Sequence, residues 1–140
     1  MYKVIIIEDD PMVASINKQY VELTSSFHVE ATFKNGILAL QYLQNCTVDL
    51  IILDYYTPQM NGDEFIDQLH AAGMTPAIIM VTSANDAETV RRLISRGVTD
   101  YLVKPFEYDR FKAALERFAK RQEELKTSAS ASPPVPGQKR

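Results

Sequence analysis

The sequence predicts an α/β fold: a doubly wound, five-stranded parallel sheet, order 2-1-3-4-5, in a three-layer sandwich with helices on both faces. Three observations carry that expectation. Short aliphatic runs alternate with helix-period segments five times along the chain. The runs lack the in-and-out alternation of a half-exposed sheet, most plainly over Leu50 to Leu53, so both faces should be covered. The intervening segments are long enough to return the chain in the same direction, which parallel neighbours require.

Taken in order, Tyr2 to Ile7 is the first strand. Pro11 to about Ser25 follows as a helix, with Pro suited to a first turn and Val13, Ile16, Tyr20 and Leu23 recurring at helical spacing as its apolar face. Val29 to Phe33 alternates as a second strand, Asn35-Gly36 marks a turn, and Ile37, Leu40 and Leu43 give the second helix its apolar face. The third strand ends at Asp54. Gly62 to Ala72 carries Phe65, Ile66 and Leu69 on one side, and Ala77 to Val81, entered through Pro76 and closed by Thr82, is the fourth strand. Ala87 to Arg96 is a more polar helix stopped by Gly97, and Tyr101 to Val103 is a short fifth strand ending at Lys104-Pro105. Phe111, Leu115, Phe118 and Leu125 mark a long last helix.

The 140 residues suit one domain, expected over 1–125. From about Lys126 the composition turns to Thr, Ser, Ala and Pro, which cannot bury enough apolar area to offset the entropy of ordering, so 126–140 reads as a flexible linker or tail leading to an absent DNA-binding domain. A net charge of -3 argues against nucleic-acid binding by this chain itself. Cys46 stands alone, no run approaches a membrane span, and no signal peptide opens the chain, which together predict a cytoplasmic protein.

Chemistry concentrates at the strand ends. The first strand ends in Glu8-Asp9-Asp10, the third in Asp54, the fourth in Thr82-Ser83 and the fifth in Lys104-Pro105. A parallel sheet projects all of these from one edge, the edge where open α/β sheets bind ligands. Carboxylates of Glu8, Asp9 and Asp54 should then crowd together and repel unless a cation neutralises them. Mg²⁺ suits such a hard, all-oxygen site.

On these residues the chain from Met1 to Leu125 resembles the receiver domain of two-component response regulators. That pattern has an acidic pair after the first strand, a phosphoacceptor Asp after the third followed by Pro and Gly, a Thr or Ser after the fourth, and Lys-Pro after the fifth. Here these are Glu8 and Asp9, Asp54 with Pro58 and Gly62, Thr82, and Lys104-Pro105, with Tyr101 three residues before the Lys. Asp54-Tyr55-Tyr56, Ala84 to Ala87 and Tyr101 to Glu107 look like regulators of citrate and C4-dicarboxylate metabolism. Thr57 departs from the pattern, standing where the family usually has Met or Leu.

The resemblance implies a flavodoxin-like fold and a set of roles. Asp54 would accept a phosphoryl group from a sensor histidine kinase, since neither His28 nor His70 lies near the strand ends. Mg²⁺ would be held by Asp9, Asp54 and the backbone carbonyl of Tyr56, with Glu8 acting through water. Lys104, aimed by a cis peptide bond to Pro105, and Thr82 would bind the phosphoryl oxygens. Thr82 and Tyr101 would form the switch, and Arg91, Arg92 and Arg96, near acids such as Asp100 and Glu107, would serve a phosphorylation-dependent homodimer. DNA would be reached only through a C-terminal domain. The alternatives are a stand-alone receiver or an interaction module independent of phosphorylation. An aspartyl phosphohydrolase is disfavoured, because its second acid would occupy position 56, which is Tyr56.

Overall fold

The computed structural model describes residues 1–83 and 87–131, with side chains through 127. Its elements are β1 (Tyr2–Ile7), α1 (Pro11–Leu23), β2 (Phe27–Phe33), α2 (Gly36–Leu43), β3 (Leu50–Asp54), α3 (Gly62–Ala71), β4 (Ala77–Thr82), α4 (Ala87–Ser95), β5 (Asp100–Val103) and α5 (Tyr108–Ala131). The strands form one parallel sheet in the order β2-β1-β3-β4-β5, as the alternating pattern predicts.

Odd and even strand positions feed two separate cores, because successive side chains leave a strand on opposite faces. Val4, Ile6, Leu50, Ile52, Ile79 and Val81 pack with Val21 of α1 and with Phe111, Leu115 and Phe118 of α5. Ile5, Ile7, Ile51, Leu53, Ile78 and Met80 pack with α2, α3 and Leu93 of α4. Every residue of β3 is buried, as expected of a central strand covered on both sides.

Local chemistry starts the first three helices. The Asp10 carboxylate accepts from the N–H of Met12 at 2.9 Å and caps α1, so the third acid of the Glu8-Asp9-Asp10 triplet serves the helix. Asn35 caps α2 by accepting from the Leu38 N–H. Asn61 and Glu64 form a reciprocal capping box at the start of α3.

Two helix faces differ in part from expectation. The α1 residues that bury are Ala14, Asn17 and Val21, whereas Ile16 is 40% and Leu23 68% exposed. On α2 they are Gly36, Ala39 and Leu43, with Ile37 outside. The expected Leu43 is buried and Tyr20 and Leu40 pack on the core, while at Gly36 a Cβ would lie 2.8 Å from Phe65 Cδ1, so the α2–α3 seam admits only a small residue there. The α3 face of Phe65, Ile66 and Leu69 is buried as expected.

The last helix also differs. Phe111, Leu115 and Phe118 are buried but Leu125 is exposed, because the helix has by then run past the sheet. It continues to Ala131, beyond the Lys126 boundary expected from composition. Glu, Leu, Lys and Ala favour helix, Ser and Thr cost only tenths of a kcal/mol each, and no Pro intervenes before Pro133. The remainder of the expected tail, 132–140, lies outside the described residues, as do Ala84, Asn85 and Asp86.

The turn from β3 into α3 leaves no space at Gly62. Its N–H donates to the Tyr55 carbonyl at 2.8 Å, and a Cβ there would lie 2.7 Å from Tyr55 Cδ1 and 3.0 Å from the Met80 sulfur. Gly62→Ala should therefore destabilise the domain by about 1–3 kcal/mol, the usual cost of overpacking. Urea unfolding of the two proteins checks this, and an unchanged midpoint would contradict it.

Candidate functional site

The parallel register aligns the carboxyl ends of the central strands. Ile7 pairs with Leu53, Asp54 with Val81 and Thr82 with Val103, so the residues that follow emerge at one edge. Carboxylate oxygens of Glu8, Asp9 and Asp54 all lie within 4.8 Å of one another there. Glu8 and Asp54 are buried, while Asp9 is exposed at the rim. Lys104 reaches both buried acids, its Nζ donating to Glu8 Oε1 at 3.3 Å and to Asp54 Oδ2 at 3.2 Å.

One ammonium thus serves two buried carboxylates. Burial pushes the Glu8 carboxyl up to about 7; the Asp10 N–H, donating at 3.0 Å, works against this, and the Asp54 charge reinforces it. Burial alone would lower the Lys104 ammonium, but the Asp54 and Glu8 charges outweigh it and hold the group above its ordinary value. The donor set of Glu8, Asp9 and Asp54 is all oxygen, with a surplus of negative charge after Lys104 is counted. That chemistry fits a hard divalent cation such as Mg²⁺.

The remaining sequence-predicted residues take their places around this cluster. Thr82 is buried at the end of β4. The Lys104-Pro105 peptide bond is cis, as the resemblance implied. The Tyr56 side chain is exposed, and its N–H donates to Asp54 Oδ1 at 3.3 Å. Thr57 is buried, and its hydroxyl donates to the Met60 carbonyl at 2.7 Å across the same loop. Tyr101 is half-buried on β5, packed on the α2–α4 side of the sheet, and with Val103, Pro105, Phe106 and Arg110 it lines a cleft beside α5. His28 lies between Glu22 and Glu30 on the edge strand, and His70 sits in the last turn of α3.

The expected arginine surface is corrected by the structure. Arg92 and Arg96 do not face Asp100 or Glu107; they turn to α3 and pair with Asp63 and Asp67. Asp100 is buried and held by Arg110 and Arg117 of α5. A buried carboxylate takes the nearest guanidinium, and sequence proximity does not say which one that is. Sequence reasoning also missed the Tyr55 hydroxyl, which donates to Asp63. The only sequence signal was the matched four-residue spacing of Asp63/Asp67 and Arg92/Arg96.

Comparison with known proteins agrees with this geometry. The family described as response regulator receiver domain matches residues 4–116. The chain is 40% identical over 117 residues to the "Probable C4-dicarboxylate response regulator DctR" of Priestia megaterium, covering 84% of this chain and 51% of that protein. It is 38% identical over 117 residues to the transcriptional regulatory protein DcuR of Escherichia coli (strain K12), covering 82% of this chain and 49% of that one. It therefore spans about half the length of these relatives. Among solved structures, the response regulatory domain of protein MrkE from Klebsiella pneumoniae superposes with a TM-score of 0.78 at 24% identity, over 87% of this chain and 98% of that one, which supports the fold. With the acidic cluster, the bridging lysine and the sheet order all matching that family, the chain belongs to the response regulator receiver domains.

Proposed function

We propose that Asp54 is the phosphoacceptor of a two-component response regulator, charged by a sensor histidine kinase and read out by a transcriptional module elsewhere in the full protein. The observation that carries this reading is the convergence of Glu8, Asp9 and Asp54 within 4.8 Å, with Lys104 joining the two buried acids. A carboxylate oxygen of Asp54 attacks the phosphorus of a phosphohistidine; the new P–O bond forms as the P–N bond breaks and the imidazole leaves. Mg²⁺ would be held by Asp9, Asp54 and the Tyr56 carbonyl, with Glu8 acting through water, and when bound it neutralises charge on the transferring oxygens. Lys104 exchanges its contact with Asp54 for one with a phosphoryl oxygen, and Thr82 binds another. The names of the relatives support a stimulus in the C4-dicarboxylate class.

The reading is tested by phosphoryl uptake from acetyl phosphate, which should require divalent metal and vanish in Asp54→Asn. Labelling that survives in the variant, or in excess chelator, would overturn it.

The Glu8 carboxyl adds a pH dependence. Without metal, the folded chain keeps a proton on Glu8 between its ordinary value and about 7, while the unfolded chain does not. Stability from this group therefore falls as pH rises through that window and levels off above about 7. Because cation binding favours the deprotonated acid, Mg²⁺ affinity should rise about tenfold from pH 6 to pH 8. Calorimetric titration of wild type and Glu8→Gln measures both effects, and an equal pH slope in the two proteins would count against the assignment.

The phosphoryl group on Asp54 gives the Thr82 hydroxyl a new acceptor, and movement there leaves space that Tyr101 can fill from β5. A homodimer formed on this switch would use the cleft lined by Tyr101, Phe106 and Arg110. Beryllofluoride should increase self-association of wild type, read by analytical ultracentrifugation, and Thr82→Ala should blunt the increase. Equal association in both proteins would reject the Thr82 route while leaving the role of Asp54 intact.

A further inference from the structure

Helix α4 has little apolar hold on the domain. Leu93 is its one buried residue, and Ile94 is 53% exposed. Its position therefore leans on polar contacts, and these point to α3. Asp63 and Asp67 stand four apart on α3, and Arg92 on α4 stands four before Arg96, the residue that directly follows the helix's last residue, Ser95. Arg92 Nη1 donates to Asp63 Oδ2, Arg96 Nη1 donates to Asp63 Oδ1 at 3.2 Å, and Arg96 Nη2 donates to Asp67 Oδ1. Isolated surface ion pairs contribute little, but here one carboxylate is shared by two guanidiniums and the Asp63 side chain is only 19% exposed.

A third donor ties this cluster to the phosphoacceptor. The Tyr55 hydroxyl donates to Asp63, and Tyr55 is the residue after Asp54. The Tyr55 N–H donates to the Val81 carbonyl and its carbonyl accepts from the Gly62 N–H, each at 2.8 Å. Its ring is boxed by Gly62 and by the edge-on ring of Tyr56, at 4.8 Å between centroids. A displacement of the β3 end thus reaches the hydroxyl with little slack. Burial would raise the Asp63 carboxyl, and Tyr55 and the two arginines overcome that to hold it below the usual carboxylate range.

We propose that Tyr55, Asp63, Asp67, Arg92 and Arg96 form a latch that sets the position of α4 and joins it to the strand end carrying Asp54. The latch rests on the receiver reading for its use: it gives the phosphoacceptor a route to the α4 surface through α3, separate from Thr82 and Tyr101. It also makes α4 the helix whose placement depends most on charge.

Hydrogen exchange followed by mass spectrometry on the full chain, without metal or phosphoryl donor, tests the latch directly. Losing one hydrogen bond in Tyr55→Phe should speed α4 amide exchange about fivefold, and Asp63→Asn or Arg96→Gln about tenfold or more. Exchange in β1 and β3 should stay as in wild type, which separates release of α4 from general unfolding. Raising salt to about 1 M should speed α4 exchange in wild type and do so less in Asp63→Asn, which keeps only the Arg96–Asp67 pair. Exchange of α4 within about twofold of wild type in all three variants, or no response of wild type to salt, would overturn the latch. Since neither metal nor phosphoryl takes part, this failure is distinct from a failure of Asp54 to take up phosphoryl.

Discussion

The sharing of one lysine between two buried carboxylates is the constraint on which the rest of the site depends. Glu8 comes from the end of β1, Asp54 from β3 and Lys104 from beyond β5, so their meeting requires the sheet order and register to be as they are. Two buried acids against one ammonium leave negative charge uncompensated, and burial, reinforced by the Asp54 charge, pushes the Glu8 carboxyl up to about 7. A divalent cation brought by Asp9 and its neighbours would complete the balance. On the proposed function, the same surplus of charge would make the edge selective, admitting an anionic phosphoryl group only when enough positive charge is in place.

The hydrophobic framework supplies rigidity where that balance needs it. β3 is buried along its whole length, and its flanking strands pair with it in continuous parallel register. Helices α1 and α2 bury small residues such as Ala14, Gly36 and Ala39 beside Val21 and Leu43, leaving larger apolar side chains such as Ile16, Leu23 and Ile37 toward solvent. α5 seats three large side chains and then runs on beyond the sheet. Against this, α4 has Leu93 and a set of ion pairs. The contrast assigns different mechanical roles, since apolar packing resists movement and partly exposed ion pairs can exchange partners.

The sequence by itself determined the strand and helix alternation, the strand order, the turn at Asn35-Gly36, and the acids, hydroxyl and lysine brought to one edge. Each of these is a local pattern or follows from parallel topology, which delivers every strand's end to the same side. Only the tertiary structure decided that Ala14, Asn17, Gly36 and Ala39 turn inward while Ile16, Leu23 and Ile37 do not, because an apolar count does not register small or polar residues that the packing accepts. It also decided that Asp10 caps a helix while Asp9 stays at the site, a difference of one residue in backbone direction. The pairing of Arg92 and Arg96 with α3, and of Asp100 with α5, was likewise beyond reach of the sequence. Ion pairs form between whichever charged groups the fold brings within a few ångströms, and that distance is set by the packing of whole elements.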